Sequence, residues 1–134
     1  LKPFLKTSLQ ALVLLLVAGF SIASMAAPPA TDDTRTIEAL IQSVAQLKGA
    51  AFIRNGSEYS AVQAADHLRL KWRKAGSRVH TAEQFIDLCA TQSSMSGLKY
   101  RIRLADGVTV DSADFLRARL IEIRKRGAIA APTK

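Results

Sequence analysis

Cysteine is nearly absent from this chain of 134 residues: Cys89 stands alone. That excludes an intramolecular disulfide and leaves packing to stabilise the fold. Histidine is almost as scarce, and neither His67 nor His80 stands at a spacing that would make a ligand set with Cys89. No metal site is therefore expected, and no cofactor. The chain has few aromatic residues, and none that is expected to be exposed is interleaved with the basic ones, Trp72 being turned to the core, which argues against nucleic acid as a partner. A Gly-x-Ser-x-Gly elbow, internal repeats and low-complexity segments are missing as well. Acidic residues are outnumbered, 11 against 19 Lys and Arg, so the formal net charge is +8.

The chain does carry an export signal. Lys2 and Lys6 precede the apolar run 11–23, ALVLLLVAGFSIA, which ends in the small-residue stretch Ser24-Met25-Ala26-Ala27. A basic head, a short apolar core and small residues at the cut describe a secretory leader, and the core is shorter than the roughly 20 residues that a spanning helix needs. Cleavage after Ala26 fits best, because a cut after Ala27 would put Met25 at the −3 position and Pro28 directly behind the bond. The expectation is a leader over 1–26, an exported chain, and no transmembrane span after processing. The 108 remaining residues suffice for one domain and keep 17 basic against 11 acidic side chains, a net charge of +6. Such a charge suits weak association with anionic envelope components, and charge spread through the chain also serves solubility.

After a linker over 27–34, Ile37, Leu40, Ile41, Val44 and Leu47 recur at helical spacing, and Gly49 stops the helix. Ala51 to Ile53 reads as a short strand. Asn55-Gly56 is a turn signal, which leaves Arg54 to Tyr59 as a loop. A second helix runs from the N-cap Ser60 to Ala75, with Ala61, Ala64, Ala65, Leu68 and Trp72 inward and His67 and Lys71 at the rim. Thr81-Ala82-Glu83-Gln84 is a capping box for a third helix whose apolar face holds Ala82, Phe85, Ile86, Leu88 and Cys89. Cys89 lies near the middle of that face and reads as a small buried hydrophobe.

Beyond residue 97 the period becomes two, with Tyr100, Ile102 and Leu104 alternating with Lys99, Arg101 and Arg103. A three-residue loop with Gly107 in the left-handed region would pair Leu104 with Val108, Ile102 with Val110 and Arg101 with Asp111; a two-residue loop would mix the faces. The hairpin is thus 98–104/108–110. A last helix from residue 111 or 112 to Arg126 turns Leu116, Leu120 and Ile123 inward and carries a second apolar strip of Phe115, Ala118 and Ile121, with a tail over 127–134. The sum is a single small α+β domain over 35–126, about four helices with a short antiparallel sheet.

Phe52 to Gly56, Ala64 with His67 to Lys71, Thr81 to Asp87, Ser93-Ser94, Gly97 and Tyr100 together resemble the YfeK-type family of small exported bacterial proteins. The resemblance runs over roughly 37–123. It implies a periplasmic protein of a Gram-negative bacterium and brings no catalytic residues.

Two chemistries are open to these residues. Ser93, Ser94 or Ser96 with His67 could serve a small serine-dependent hydrolase, but the serines follow a helix and so have no helix N-terminus to supply oxyanion donors. Adjacent Asp66 also points about 100° from His67 on a helix and cannot orient it. Local turn bonding explains the serines as well, and a rim histidine bonding a loop carbonyl explains His67, with Lys71 discouraging its protonation. The preferred expectation is a non-enzymatic interaction or accessory protein that meets an envelope protein or an anionic envelope component. Its binding surface would combine Arg54, Asn55, Gly56 and Tyr59 with His67, Ser94 and Ser96. Lys99, Arg101 and Arg103 would form an anion patch, with Arg117/Arg124 and Arg119/Arg126 as basic rows on the last helix.

Overall fold

A computed structural model describes residues 32–130. The leader and its cleavage site, most of the linker and residues 131–134 lie outside the described residues. Helix α1 (Asp32–Ala45) already begins inside the stretch expected as linker, and its first-turn aspartates suit the positive end of the helix dipole. The expected stripe of Ile37, Leu40, Ile41 and Val44 is buried almost completely. Each such side chain contributes on the order of 1.5–3 kcal/mol relative to exposure.

Strands β1 (Ala51–Arg54) and β2 (Ser57–Tyr59) form a hairpin, with Phe52 opposite Tyr59 and Arg54 opposite Ser57. This corrects the expected loop over Arg54 to Tyr59. Asn55 (φ 51°) and Gly56 (φ 77°) both take the left-handed region, the two-residue turn whose twist matches that of paired strands, so the turn signal was also a hairpin signal. Helix α2 (Ala61–Ala75) follows at once, with Ser60 and Gln63 closing a capping box.

Helix α3 (Ala82–Phe85) starts at the Thr81–Gln84 capping box, and the Asp33 carboxylate accepts the Ala82 N–H at 3.0 Å, tying it to the start of α1. The helix then widens into a π turn, Ile86–Ala90, and Thr91 donates its hydroxyl to the Ile86 carbonyl at 2.9 Å. The wider turn changes which side chains share a face. Cys89 and Ala90 are fully buried, while Leu88, expected inside, is 47% exposed.

Strands β3 (Arg101–Arg103) and β4 (Thr109–Asp111) pair Arg101 with Asp111 and Ile102 with Val110. Gly107 takes φ 87° in the connecting loop, and the Leu104 N–H donates to the Val108 carbonyl at 2.8 Å, so the register is the expected one. The ladder itself is shorter than 98–104, with Lys99 making an isolated bridge to Gln92. β3 also pairs with β1, giving one antiparallel sheet in the order β2-β1-β3-β4. Helix α4 (Ser112–Ala130) continues four residues beyond the expected end at Arg126, because Gly127 sits in the helix and does not cap it. Leu116 and Leu120 face inward and Ile123 is half-buried, while Ile121 of the second apolar strip is exposed.

The described residues thus form a small α+β domain of four helices and a four-stranded antiparallel sheet. α1 packs against α2 and α4, and the π turn touches both α2 and α4. Phe52, Ile102 and Val110, aligned across three strands, face the helical side. Strand alternation then sends Arg54 and Tyr100 to that same side, and Ile53, Arg101 and Arg103 to the other.

Candidate functional site

The site lies where the strand ladder ends. Continuing the β1–β3 register by one step sets Arg54 across from Tyr100, and the Ser112 N–H donates to the Tyr100 carbonyl at 2.9 Å, so Arg54, Tyr100 and Ser112 form a row past the last strand pairs. Helix α2 crosses above this row. Ala65 and Leu68 are buried beneath it, which turns His67 toward the strands as a half-buried rim residue. Between hairpin and helix is a cavity of about 330 Å³. Phe52, Ala64 and Leu68 give it apolar walls; Arg54, Tyr59, His67 and Tyr100 give it polar groups.

These polar groups form one network. Arg54 Nη1 lies 2.8 Å from His67 Nδ1 and 3.1 Å from Nε2, and its Nη2 donates to the Tyr59 hydroxyl at 3.2 Å. His67 Nε2 is 3.2 Å from the Tyr100 hydroxyl, with the rings edge to face at 82°. Lys71 Nζ donates to the same hydroxyl at 3.2 Å and to the Gln92 carbonyl at 2.9 Å. The network assigns the histidine tautomer. A guanidinium only donates, and its shorter contact, 2.8 Å against 3.1 Å, favours Nδ1 as the acceptor, which places the ring proton on Nε2 toward Tyr100. The Tyr100 oxygen therefore accepts from both His67 and Lys71, and its own O–H is left to donate elsewhere. Tyr59 likewise accepts from Arg54 and keeps its proton for another acceptor.

Burial, then the charges of Arg54, Lys71 and Lys74, holds His67 below the usual imidazole range, so the neutral ring that this network requires is also the favoured one. Burial lowers Lys71, partly offset by Cys89, and raises Tyr100. Among the described residues no carboxylate forms an ion pair with Arg54 or Lys71.

The two polar segments suspected in the sequence do meet here, although not as a serine–histidine site. Ser96 Oγ donates to Asn55 Oδ1 at 2.5 Å, and Asn55 Nδ2 reaches Ser93 Oγ at 3.4 Å, so residues 93–96 latch onto the Asn55-Gly56 turn. Ser93 is buried and takes up the Met95 and Ser96 N–H groups within its own turn. Ser94 is exposed. The hydrogen-bond partners of His67 are Arg54 and Tyr100; it bonds neither a serine nor the expected loop carbonyl, which Lys71 takes instead. Asp66, next to His67 in sequence, pairs with Arg69 at 3.4 Å. Of the expected binding set, Arg54, Tyr59 and His67 reach the cavity, whereas Asn55, Gly56 and Ser96 shape its neighbourhood. Tyr100 was legible only as an inward strand residue; extending the strand register past residue 101 was the signal that could have placed it opposite Arg54.

The expected anion patch is a face of ion-paired cations, its three positive side chains sharing two carboxylates. Lys99 and Arg101 both reach Asp111, at 2.8 and 3.6 Å, and Arg103 binds both Glu58 oxygens, at 2.5 and 2.8 Å. On α4, Arg117 pairs with Asp87 and Asp114, Arg119 with Glu122, and Arg124 with Glu83. The three strand cations do share a face, as strand alternation requires, but β2 and β4 bring carboxylates to the same face.

Residues 31–124 match a family described as "Family of unknown function (DUF5329)". The chain belongs to this family. A curated relative, "Uncharacterized protein YfeK" of Salmonella typhimurium, is 44% identical over 64 residues, which cover 48% of this chain and 53% of the relative. The chain thus spans about half the length of the curated relative it matches. The resemblance read from the motifs is therefore to the right family. No solved structure matches. Among the described residues no helix is long and apolar enough to cross a membrane, and no three His, Cys, Asp or Glu side chains gather as a group able to hold a metal ion.

Proposed function

We propose that the chain is a non-enzymatic accessory protein of the bacterial envelope, exported behind its leader, which recognises a partner or ligand through the cavity between the β1–β2 hairpin and α2. The observation that carries this reading is the Arg54 guanidinium, held in a cavity wall by His67 and Tyr59 and ion-paired with no carboxylate among the described residues. A half-buried cation of this kind costs desolvation energy that a bound anion would offset. Export rests on the basic head and short apolar core at residues 2–23 and on the small residues up to Ala26. The hydrolase alternative gains nothing from the site, because both His67 nitrogens are engaged by Arg54 and Tyr100 and the buried serine serves its own turn.

The test is capture in intact cells. A photo-crosslinking residue replacing Gln63, which lines the cavity and points from the exposed side of α2, should trap a discrete envelope partner released with the periplasmic fraction. Capture should fall strongly when Arg54→Gln is added. Equal capture with and without Arg54, or a chain retained in the cytoplasm, would sink the reading.

A further inference from the structure

The cavity has a chemical polarity sharper than its charge. Once the network is satisfied, Arg54, Tyr59 and Tyr100 have donors left for a ligand, and His67 has both ring nitrogens engaged. Arg54 spends two of its five N–H groups on His67 and Tyr59 and keeps the others. Tyr59 and Tyr100 have accepted their bonds and keep O–H protons. The amide and carboxylate acceptors that line the cavity are engaged elsewhere: Gln63 Oε1 takes the Ser60 N–H at 2.9 Å, and Asp66 pairs with Arg69, while the Ser112 hydroxyl in the wall can donate as well as accept. A ligand that brought its own donors would find little to receive them. One that brought only acceptors would find a guanidinium near two phenol protons; of the charged residues in the wall, Arg101 is paired with Asp111 and Asp66 with Arg69, which leaves Arg54 as the lining charge without an ion-pair partner among the described residues. The opposite walls, Phe52, Ala64 and Leu68, offer only carbon, and 330 Å³ is at the small end of ligand cavities.

From this arrangement we infer that the cavity binds a monoanionic carboxylate with a short apolar body, of the medium-chain fatty acid type, its carboxylate on Arg54, Tyr59 and Tyr100 and its chain against Phe52, Ala64 and Leu68. This deepens the recognition reading above and rests on it. A carboxylate matches the planar guanidinium in two parallel N–H···O bonds and leaves lone pairs for the phenols. A phosphomonoester carries more charge than one guanidinium balances; of the other nearby cations, Arg101 is paired with Asp111 and Lys71 is turned to Tyr100 and the Gln92 carbonyl.

The experiment titrates the purified protein with octanoate and follows backbone amide resonances, with octanol, octylamine, acetate and octyl phosphate as comparison probes. Octanoate is expected to shift resonances of residues 52–54, 59, 63–68 and 100 at saturable concentrations. Octanol and acetate should bind at least tenfold more weakly, since each lacks one half of the ligand, and octylamine should not bind. Tyr59→Phe and Tyr100→Phe, which keep the ring packing, should each weaken octanoate several-fold, on the scale of one hydrogen bond to a charged group. Arg54→Gln should abolish binding. Ala64→Leu, which fills the cavity and leaves Arg54 in place, should also block it; with two routes to the same loss, a folding defect in one variant does not decide the matter. Octanol binding as tightly as octanoate, or Arg54→Gln leaving octanoate affinity unchanged, overturns the inference. Tighter binding of octyl phosphate overturns the carboxylate and leaves the recognition site standing. No response of the cavity to any probe, together with Arg54-independent capture in cells, removes both.

Discussion

The two sides of the sheet treat arginine differently. On the outer face, Lys99, Arg101 and Arg103 stand beside Asp111 and Glu58, so all three have an ion-pair partner within the protein, two of them sharing one. On the helical face, one residue past the end of the ladder, Arg54 meets His67, Tyr59 and no carboxylate, and Lys71 meets Tyr100 and a carbonyl. The outer face looked like the anion site in one dimension because its cations are periodic. In three dimensions it is the face that is already satisfied. Net charge therefore does not tell which cations are paired within the protein, and the informative quantity is whether a partly buried cation has an internal counter-charge.

The largest expected effect comes from removing the divider between the two faces. Ile102 is fully buried between Arg101 and Arg103 in sequence, so Ile102→Ala should cost about 2–5 kcal/mol in chemical denaturation and disturb both faces together. A loss below 1 kcal/mol would mean that the sheet is not the common support. Gly56→Ala should act on one face only. At φ 77° an alanine costs about 1–2 kcal/mol for backbone reasons alone, since nothing lies within 4 Å of the new Cβ. Amide resonances around Arg54 and His67 should move while those around Thr109 to Asp111 stay, and uniform shifts would break the comparison. Tyr100→Phe takes away the acceptor shared by His67 and Lys71 and should cost about 1 kcal/mol, read from the unfolding midpoint.

A smaller effect is expected from pH. His67 faces Arg54 on β1, Lys71 and Lys74 on its own helix, and Tyr100 beside β3, and its folded pKa lies below the ordinary value near 6.5. The unfolded chain therefore takes up this proton first as pH falls. The stabilisation from a neutral His67 is complete above the ordinary imidazole pKa and is lost as pH falls through the folded one. Melting temperature should accordingly drop more between pH 7 and pH 5 in the parent than in His67→Gln, where the remaining carboxylates titrate alike; identical slopes would refute the assignment. Smallest of all is Arg103→Gln on the exposed outer face, for which no change in melting temperature outside error is expected. A clear destabilisation there would show that the matched face contributes more than solvent-screened pairs do.

Sequence periodicity went far for whole elements. The α1 stripe, the Ser60 and Thr81 caps and the Leu104–Val108 hairpin register all reached the structure as read, because each depends on residues within a few positions of one another. The failures share a cause in contacts the chain makes at a distance or in a local change of helical pitch. Leu88 left the buried face when α3 widened, and β2 went unread because three residues, two exposed and one half-buried, carry little alternation until β1 pairs with them. Within the site, Arg54, Tyr59 and His67 were nominated as polar residues near a turn and on a helix rim, whereas Tyr100 and the Lys71 bonds needed β3 beside β1.

Composition and local pattern alone settled that the chain has no disulfide to rely on, that it is basic, that it mixes helices with a hairpin, and which family it resembles, since these follow from residue type and short-range spacing. Only the tertiary structure decided which positive charges have an ion-pair partner within the protein. A guanidinium is neutralised or left open by carboxylates that may stand 45 residues away along the chain, as Glu58 does for Arg103, and no short-range pattern encodes that distance.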